Sequence, residues 1–249
     1  MAQPIKSAGS RRALLVSFSG VDGAGKSTQI DNLRRGAEDA GYRVRVLAFW
    51  DDVVVGCRFR ESFVHKAYKS ERGVGAPGKP VARRDKNVRR WYLTLLRHAL
   101  YLLDALSLAA VARARSFNES KEGRELIIFD RYIYDELANL PLRNPLTRSY
   151  LKLIELMVPR PDVAYLLDAD PEAARSRKPE YPVAFLSRSR IAYKDLALLL
   201  RCMTFVPALP LAQVKVRVEH AFWLAAGAPA VAAGPLPEAA PSTGSAPAA

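Results

Sequence analysis

Apolar residues fall along this chain in two rhythms. Short runs, Leu14 to Phe18 (LLVSF), Leu126 to Phe129 (LIIF) and Val163 to Leu167 (VAYLL), have the length and continuity of strands buried on both faces of a parallel sheet. Tyr42 to Phe49 (YRVRVLAF) reads as a further strand, with basic residues alternating at its start. Between these runs the spacing turns helical. Ser27 to Ala40 carries Ile30 and Leu33 on one face and stops at Gly41. Trp91 to Arg115 repeats apolar residues at Leu93, Leu96, Leu100, Leu103 and Leu106, which predicts one long helix or a pair. Ile191 to Arg201 and Val214 to Leu224 are the last helices expected, with Met203 to Val206 between them as an edge strand and Pro207 and Pro210 bounding a turn. Strands alternating with helices predict an α/β fold, a mostly parallel sheet with helices on both faces.

Composition sets the limits of this unit. The chain has 249 residues, 49% of them apolar and with no internal repeat, which suits one sizeable domain over residues 13–224. Residues 1–12 read as a flexible N-terminus. Residues 68–90, rich in Gly, Pro and cations, read as a basic loop, and 225–249, with 11 alanines, 5 prolines and no lysine or arginine, as a disordered tail. The net charge of +13 favours anionic partners and suits phosphorylated small molecules, nucleic acid and acidic lipid alike. Cys57 and Cys202 have no metal-type spacing, nor do His65, His98 and His220, so a reduced, cytoplasmic protein is expected. The longest apolar stretch, Ala99 to Ala112, is broken by Asp104 and Ser107 and is short for a bilayer, so no membrane partner is expected.

The most specific chemical signal sits between the first strand and the first helix. Gly20, four residues, Gly25, Lys26 and Ser27 match the phosphate-loop pattern G-x-x-x-x-G-K-[ST]. With glycine near 7% of residues, that pattern arises by accident in a chain this long roughly once in a hundred. The loop Gly20, Val21, Asp22, Gly23, Ala24, Gly25, with Lys26, Ser27 and Thr28, is therefore the expected binding site for ATP. Backbone N–H groups at a helix N-terminus face the phosphates, Lys26 reaches the outer ones and Ser27 offers a hydroxyl to Mg²⁺.

Other candidates cluster at strand ends, where ligands gather in open parallel sheets. Asp130 ends the third apolar run and is a candidate second Mg²⁺ contact, with Arg131 beside it as a planar fork for a phosphate; an ordinary surface ion pair is the alternative. Asp51 and Asp52 follow the second run, as site carboxylates or as a turn cap. Trp91, Tyr92, Arg97 and Tyr101 start the long helix as candidate pocket walls or as core.

FSGVDGAGKSTQ, then FDRY about a hundred residues on, then PDVAYLLDADPEAARSRK resemble the thymidylate kinases and thymidylate-kinase-like proteins, over Leu14 to about Leu200. That resemblance implies a P-loop kinase fold, with ATP and Mg²⁺ as donor and a nucleoside monophosphate, foremost dTMP, as acceptor. It gives Asp22 a contact to the deoxyribose hydroxyl and Arg131 the acceptor phosphate. Residues 171–184 match the family's lid, with Arg175, Arg177 and Lys178 as its cations, and Phe185, Arg188, Arg190 and Tyr193 match the helix after it. Thymidylate kinases are commonly homodimers, and the apolar helix around Leu100 offers such an interface. The chain also departs from the family. WDDVVVGCRFR stands where an Arg-Glu-Pro segment is usual, IYDELANL replaces a serine-rich helix after DRY, and Asp104-Ala105 replaces an acid-arginine or asparagine-arginine pair.

Two further readings stay open on sequence. Asp51 or Asp52 as a general base would suit a nucleoside or another hydroxyl acceptor. The cationic surface would suit a non-enzymatic nucleic-acid binder governed by nucleotide, although no aromatic-basic motif supports that and nucleic acid is not the expected partner.

Overall fold

The computed structural model describes residues 13–54, 91–117 and 124–227, the side chains of 91–94 and 115–117 excepted. The N-terminus 1–12, the basic loop 68–90, Cys57 and the tail beyond 227 lie outside the described residues. Strands β1 (Leu14–Gly20), β2 (Tyr42–Ala48), β3 (Arg124–Asp130), β4 (Val163–Leu167) and β5 (Met203–Val206) form one sheet in the order β2-β3-β1-β4-β5, with every pair parallel. The helices are α1 (Lys26–Asp39), α2 (Trp91–Phe117), α3 (Ile133–Leu137), α4 (Pro145–Met157), α5 (Pro171–Arg177), α6 (Val183–Leu200) and α7 (Leu211–Ala225). A single π-helical turn, Phe49–Val53, follows β2.

Strand pleating sends successive side chains to opposite faces, and here both faces are apolar. Val16 and Phe18 of β1, Leu126 and Ile128 of β3 and Tyr165 of β4 pack with Ile30 and Leu33 of α1 and Phe222 of α7. Leu15, Ile127, Phe129 and Leu166 point the other way, onto Leu108 of α2, Ile154 of α4 and Leu196 of α6. This double burial explains why the central runs read as continuous rather than alternating. The result is the three-layer α/β arrangement expected from the sequence.

The second strand is one residue shorter than the apolar run suggests. At its end the Asp52 carboxylate accepts a hydrogen bond from Ala48 N at 2.7 Å and bends the chain into the π turn. The long apolar stretch is one helix of 27 residues. Its segment Leu95–Ala114 is long and apolar enough to cross a membrane by length and composition, which corrects the expectation that it is too short. One face of the helix is buried, at Tyr101, Ala105, Leu108, Ala109 and Ala112, while Leu95, Leu103 and Leu106 are exposed. Helix α4 has no counterpart among the sequence-derived elements. It starts where the Asn144 side chain accepts from Leu146 N at 2.9 Å and Pro145 occupies the first turn.

Candidate active site

Parallel strands deliver their carboxyl ends to one edge, and the glycine loop leaves β1 there. A Cβ at Gly20 would stand 2.4 Å from Leu167 O of β4, and one at Gly23 2.3 Å from Ala174 O of α5. Both positions also have positive φ, so glycine is required there by conformation and by contact. The loop is thus packed closely against β4 on one side and α5 on the other.

Lys26, the first residue of α1, is 7% exposed and donates from Nζ to Gly20 O at 2.9 Å and Val21 O at 3.0 Å. Burial, reinforced by the Arg131 charge, lowers its pKa to about 8, although Asp22, Asp135 and Asp130 pull the other way. These four charged neighbours mean that the loop lysine, the carboxylates Asp22, Asp130 and Asp135, and the arginine share one small volume. A phosphate placed beside Lys26 would raise that pKa again by favouring the charged form. Ser27 is exposed at the start of α1, and Asp130 lies in register with Phe18 of the strand that enters the loop. These are hard oxygen donors of the kind Mg²⁺ takes. Among the described residues no group of three or more His, Cys, Asp or Glu could cage a metal.

Arg131 has φ +71°, an unusual conformation for a side chain with a Cβ, and its N–H donates to Phe18 O at 3.0 Å. The turn sends the guanidinium back across the end of β1. One nitrogen, Nη2, donates to Asp22, and the other, Nη1, donates to Asp135 at 3.1 Å. Burial disfavours the arginine's charge, but Asp135 and Asp22 outweigh it and raise its pKa. Burial likewise opposes ionisation of Asp22, yet the Arg131, Lys26 and Lys178 charges together hold its carboxyl below the usual range.

Gly20, Val21, Asp22 and Arg131 line one side of a shallow, open cleft, and Phe185, Ser189 and Tyr193 of α6, with Asn139 after α3, line the other. The structure therefore brings together the loop, Asp22, Lys26, Asp130 and Arg131, and adds Phe185 and Tyr193. It does not bring Asp51 to the cleft, since Asp51 is exposed on the π turn and Asp52 is its cap. Trp91 belongs to the excepted side chains. Tyr101 is buried under Glu136 and Asn139, with Arg97 acting on it, so it backs the cleft wall without lining it. Arg175 and Arg177 are exposed, Arg177 donating to Ala173 O of its own helix at 3.0 Å, and the lid cation felt by Asp22 is Lys178.

Two residues at this edge escaped the sequence reading. Asp135 is one; its signal was the i,i+4 spacing from Arg131 at a helix start. Asp168, the residue directly after β4, is the other. It holds Arg190 of α6 in a bidentate pair at 2.6 and 2.7 Å and Lys194 at 3.0 Å, fixing the cleft wall to β4.

The chain is similar to proteins with curated names. A thymidylate kinase of Bifidobacterium longum subsp. infantis is 31% identical over 194 residues, 74% of this chain and 74% of the relative. A probable thymidylate kinase of Methanosphaera stadtmanae is 26% identical over 166 residues, 66% of this chain and 71% of the relative. The crystal structure of thymidylate kinase from Ehrlichia chaffeensis matches 83% of this chain and 96% of its own with a TM-score of 0.53 at 15% identity, a likeness of fold. No protein-family model matches the chain.

Proposed function

We propose that this chain, which belongs to the thymidylate kinase family, transfers the terminal phosphoryl group of ATP to dTMP, giving ADP and dTDP. The observation that carries the reading is that Asp22 and Arg131 line one cleft with Lys26 close enough beneath them to feel both charges, since a phosphate loop alone does not say where the phosphoryl group goes.

An acceptor monophosphate oxygen is already ionised near neutral pH, so the reaction needs no general base. That oxygen attacks the γ-phosphorus, the bond from phosphorus to the β–γ bridging oxygen breaks, and the electron pair leaves with ADP. The loop amides and Lys26 hold the donor phosphates at the positive end of α1. Arg131, whose fork lines the cleft, draws the acceptor phosphate into line, and the positioning itself supplies much of the rate. Mg²⁺, held by the Ser27 hydroxyl and Asp130, would neutralise charge on the donor phosphates. Lys178, at the end of α5, is the lid cation best placed to approach them. Phe185 offers a flat apolar face for a base across the cleft.

A hydroxyl acceptor would need a base at the cleft, and the carboxylates after β2 are poor candidates because Asp52 is engaged with Ala48 N. A side-by-side assay of ADP release with dTMP and with thymidine tests the reading. Turnover with dTMP alone is expected; turnover with thymidine alone would replace the proposal with a nucleoside kinase.

A further inference from the structure

The carboxylate of Asp135 is 4% exposed and accepts four hydrogen bonds from donors on three parts of the fold. Oδ2 takes Ser19 Oγ of β1 at 2.7 Å and Tyr132 N, at the start of α3, at 3.2 Å. Oδ1 takes Arg131 Nη1 at 3.1 Å and the Tyr193 hydroxyl of α6 at 2.7 Å. Asp135 itself does not line the cleft, whereas Arg131 and Tyr193 do.

Asp22, the other partner of Arg131, is different in kind. Its side chain is 21% exposed and lines the cleft. A carboxylate saturated with four donors and sealed from water cannot turn away without orphaning buried groups, while a half-open one can be replaced by an incoming anion. The two ends of the guanidinium are therefore unequal.

We infer that Asp135 is the positioning residue for Arg131: it anchors Nη1 so that Nη2 is surrendered by Asp22 to the acceptor phosphate. Through Tyr193 the same carboxylate ties that arginine to α6, the helix that directly follows the lid segment. The catalytic part of this inference rests on the phosphotransferase reading given above, and the anchor itself does not.

The test uses the full chain and two readouts. In the first, Asp135→Asn raises KM for dTMP about tenfold or more and lowers kcat, with KM for ATP within about twofold of the parent. Tyr193→Phe moves the same parameters in the same sense by a smaller factor. A parallel loss toward both nucleotides, or no change in the dTMP parameters, would overturn the inference.

The second readout needs no turnover. In Arg131→Ala the two carboxylates remain as a cage, so guanidinium ion at tens of millimolar raises the melting temperature of that variant. In Arg131→Ala/Asp135→Asn the same ion gives only its ordinary denaturing decrease. Removing both members of a buried pair is far better tolerated than removing one, which keeps the double variant foldable. Equal responses of the two variants to guanidinium would overturn the anchor. If the parent chain makes no dTDP, the functional reading falls, and the guanidinium experiment still decides the role of Asp135.

Discussion

At the scale of single residues the site depends on where charge is held. Arg131 is aimed by an unusual backbone angle and paired with two carboxylates, so its removal should act on the acceptor side only. Arg131→Ala is expected to lower kcat/KM for dTMP by about a hundredfold or more while leaving the affinity for ATP nearly unchanged. Steady-state kinetics with either substrate varied, together with equilibrium ATP binding, check this split. Lys26→Ala should do the opposite and weaken ATP binding itself, because the ammonium is buried at the loop mouth. A Lys26→Ala protein that binds ATP like the parent would contradict the loop's role. The residue scale is also where sequence was least informative. Lys26 was legible from its spacing, because phosphate loops impose a fixed local geometry. Asp135 was not, because three of its four donors are meaningful only after β1, Arg131 and α6 have been brought together.

Among the elements, α5 packs on the glycine loop and α6 lines the cleft, and Asp168 is what ties α6 to the sheet. Burial tends to raise the Asp168 pKa, but hydrogen bonds from Arg190 and Lys194 outweigh it and hold the carboxyl below its ordinary value of 3.8. A depressed native pKa stabilises the fold above the unfolded value and loses that contribution as pH falls below it. Asp168→Asn should therefore cost about 1 to 3 kcal/mol near neutral pH, measured by urea unfolding, and should flatten the decline in stability below about pH 4. An unchanged acid limb would contradict the pair's role. At the other contact of the lid, Gly23→Ala should depress turnover more than stability, because its Cβ would meet Ala174 O and push α5 off the loop. Kinetics beside a thermal melt separate the two effects.

Elements were the most legible scale. The central strands announced themselves as apolar runs because both sheet faces are covered, and the edge strand β5 was still found from its flanking prolines. Helix α4 went unread although Asn144 and Pro145 mark its start and Thr147, Leu151 and Ile154 form one buried face, since the exposed Leu146, Leu153 and Leu156 blur that face in the sequence. The aspartates after β2 were ambiguous for a physical reason: a carboxylate that caps a turn and one that faces a ligand look the same in sequence, and only Ala48 N distinguishes them.

For the whole molecule, the sheet order places β1 between β3 and β4, so the loop after β1, Asp130 at the end of β3 and Asp168 after β4 arrive at one edge. A net charge of +13 adds a field that attracts anionic substrates. Raising ionic strength should accordingly raise KM for both nucleotides, an effect visible between low and physiological salt.

Product analysis of the purified chain with ATP and Mg²⁺, offered dTMP and thymidine in parallel, tests the central claim most directly. The account predicts equimolar ADP and dTDP from dTMP, no product from thymidine, and a loss of about a hundredfold or more with Arg131→Ala while ATP still binds. Phosphorylation of thymidine in preference to dTMP, or an Arg131→Ala protein as active as its parent, would contradict it.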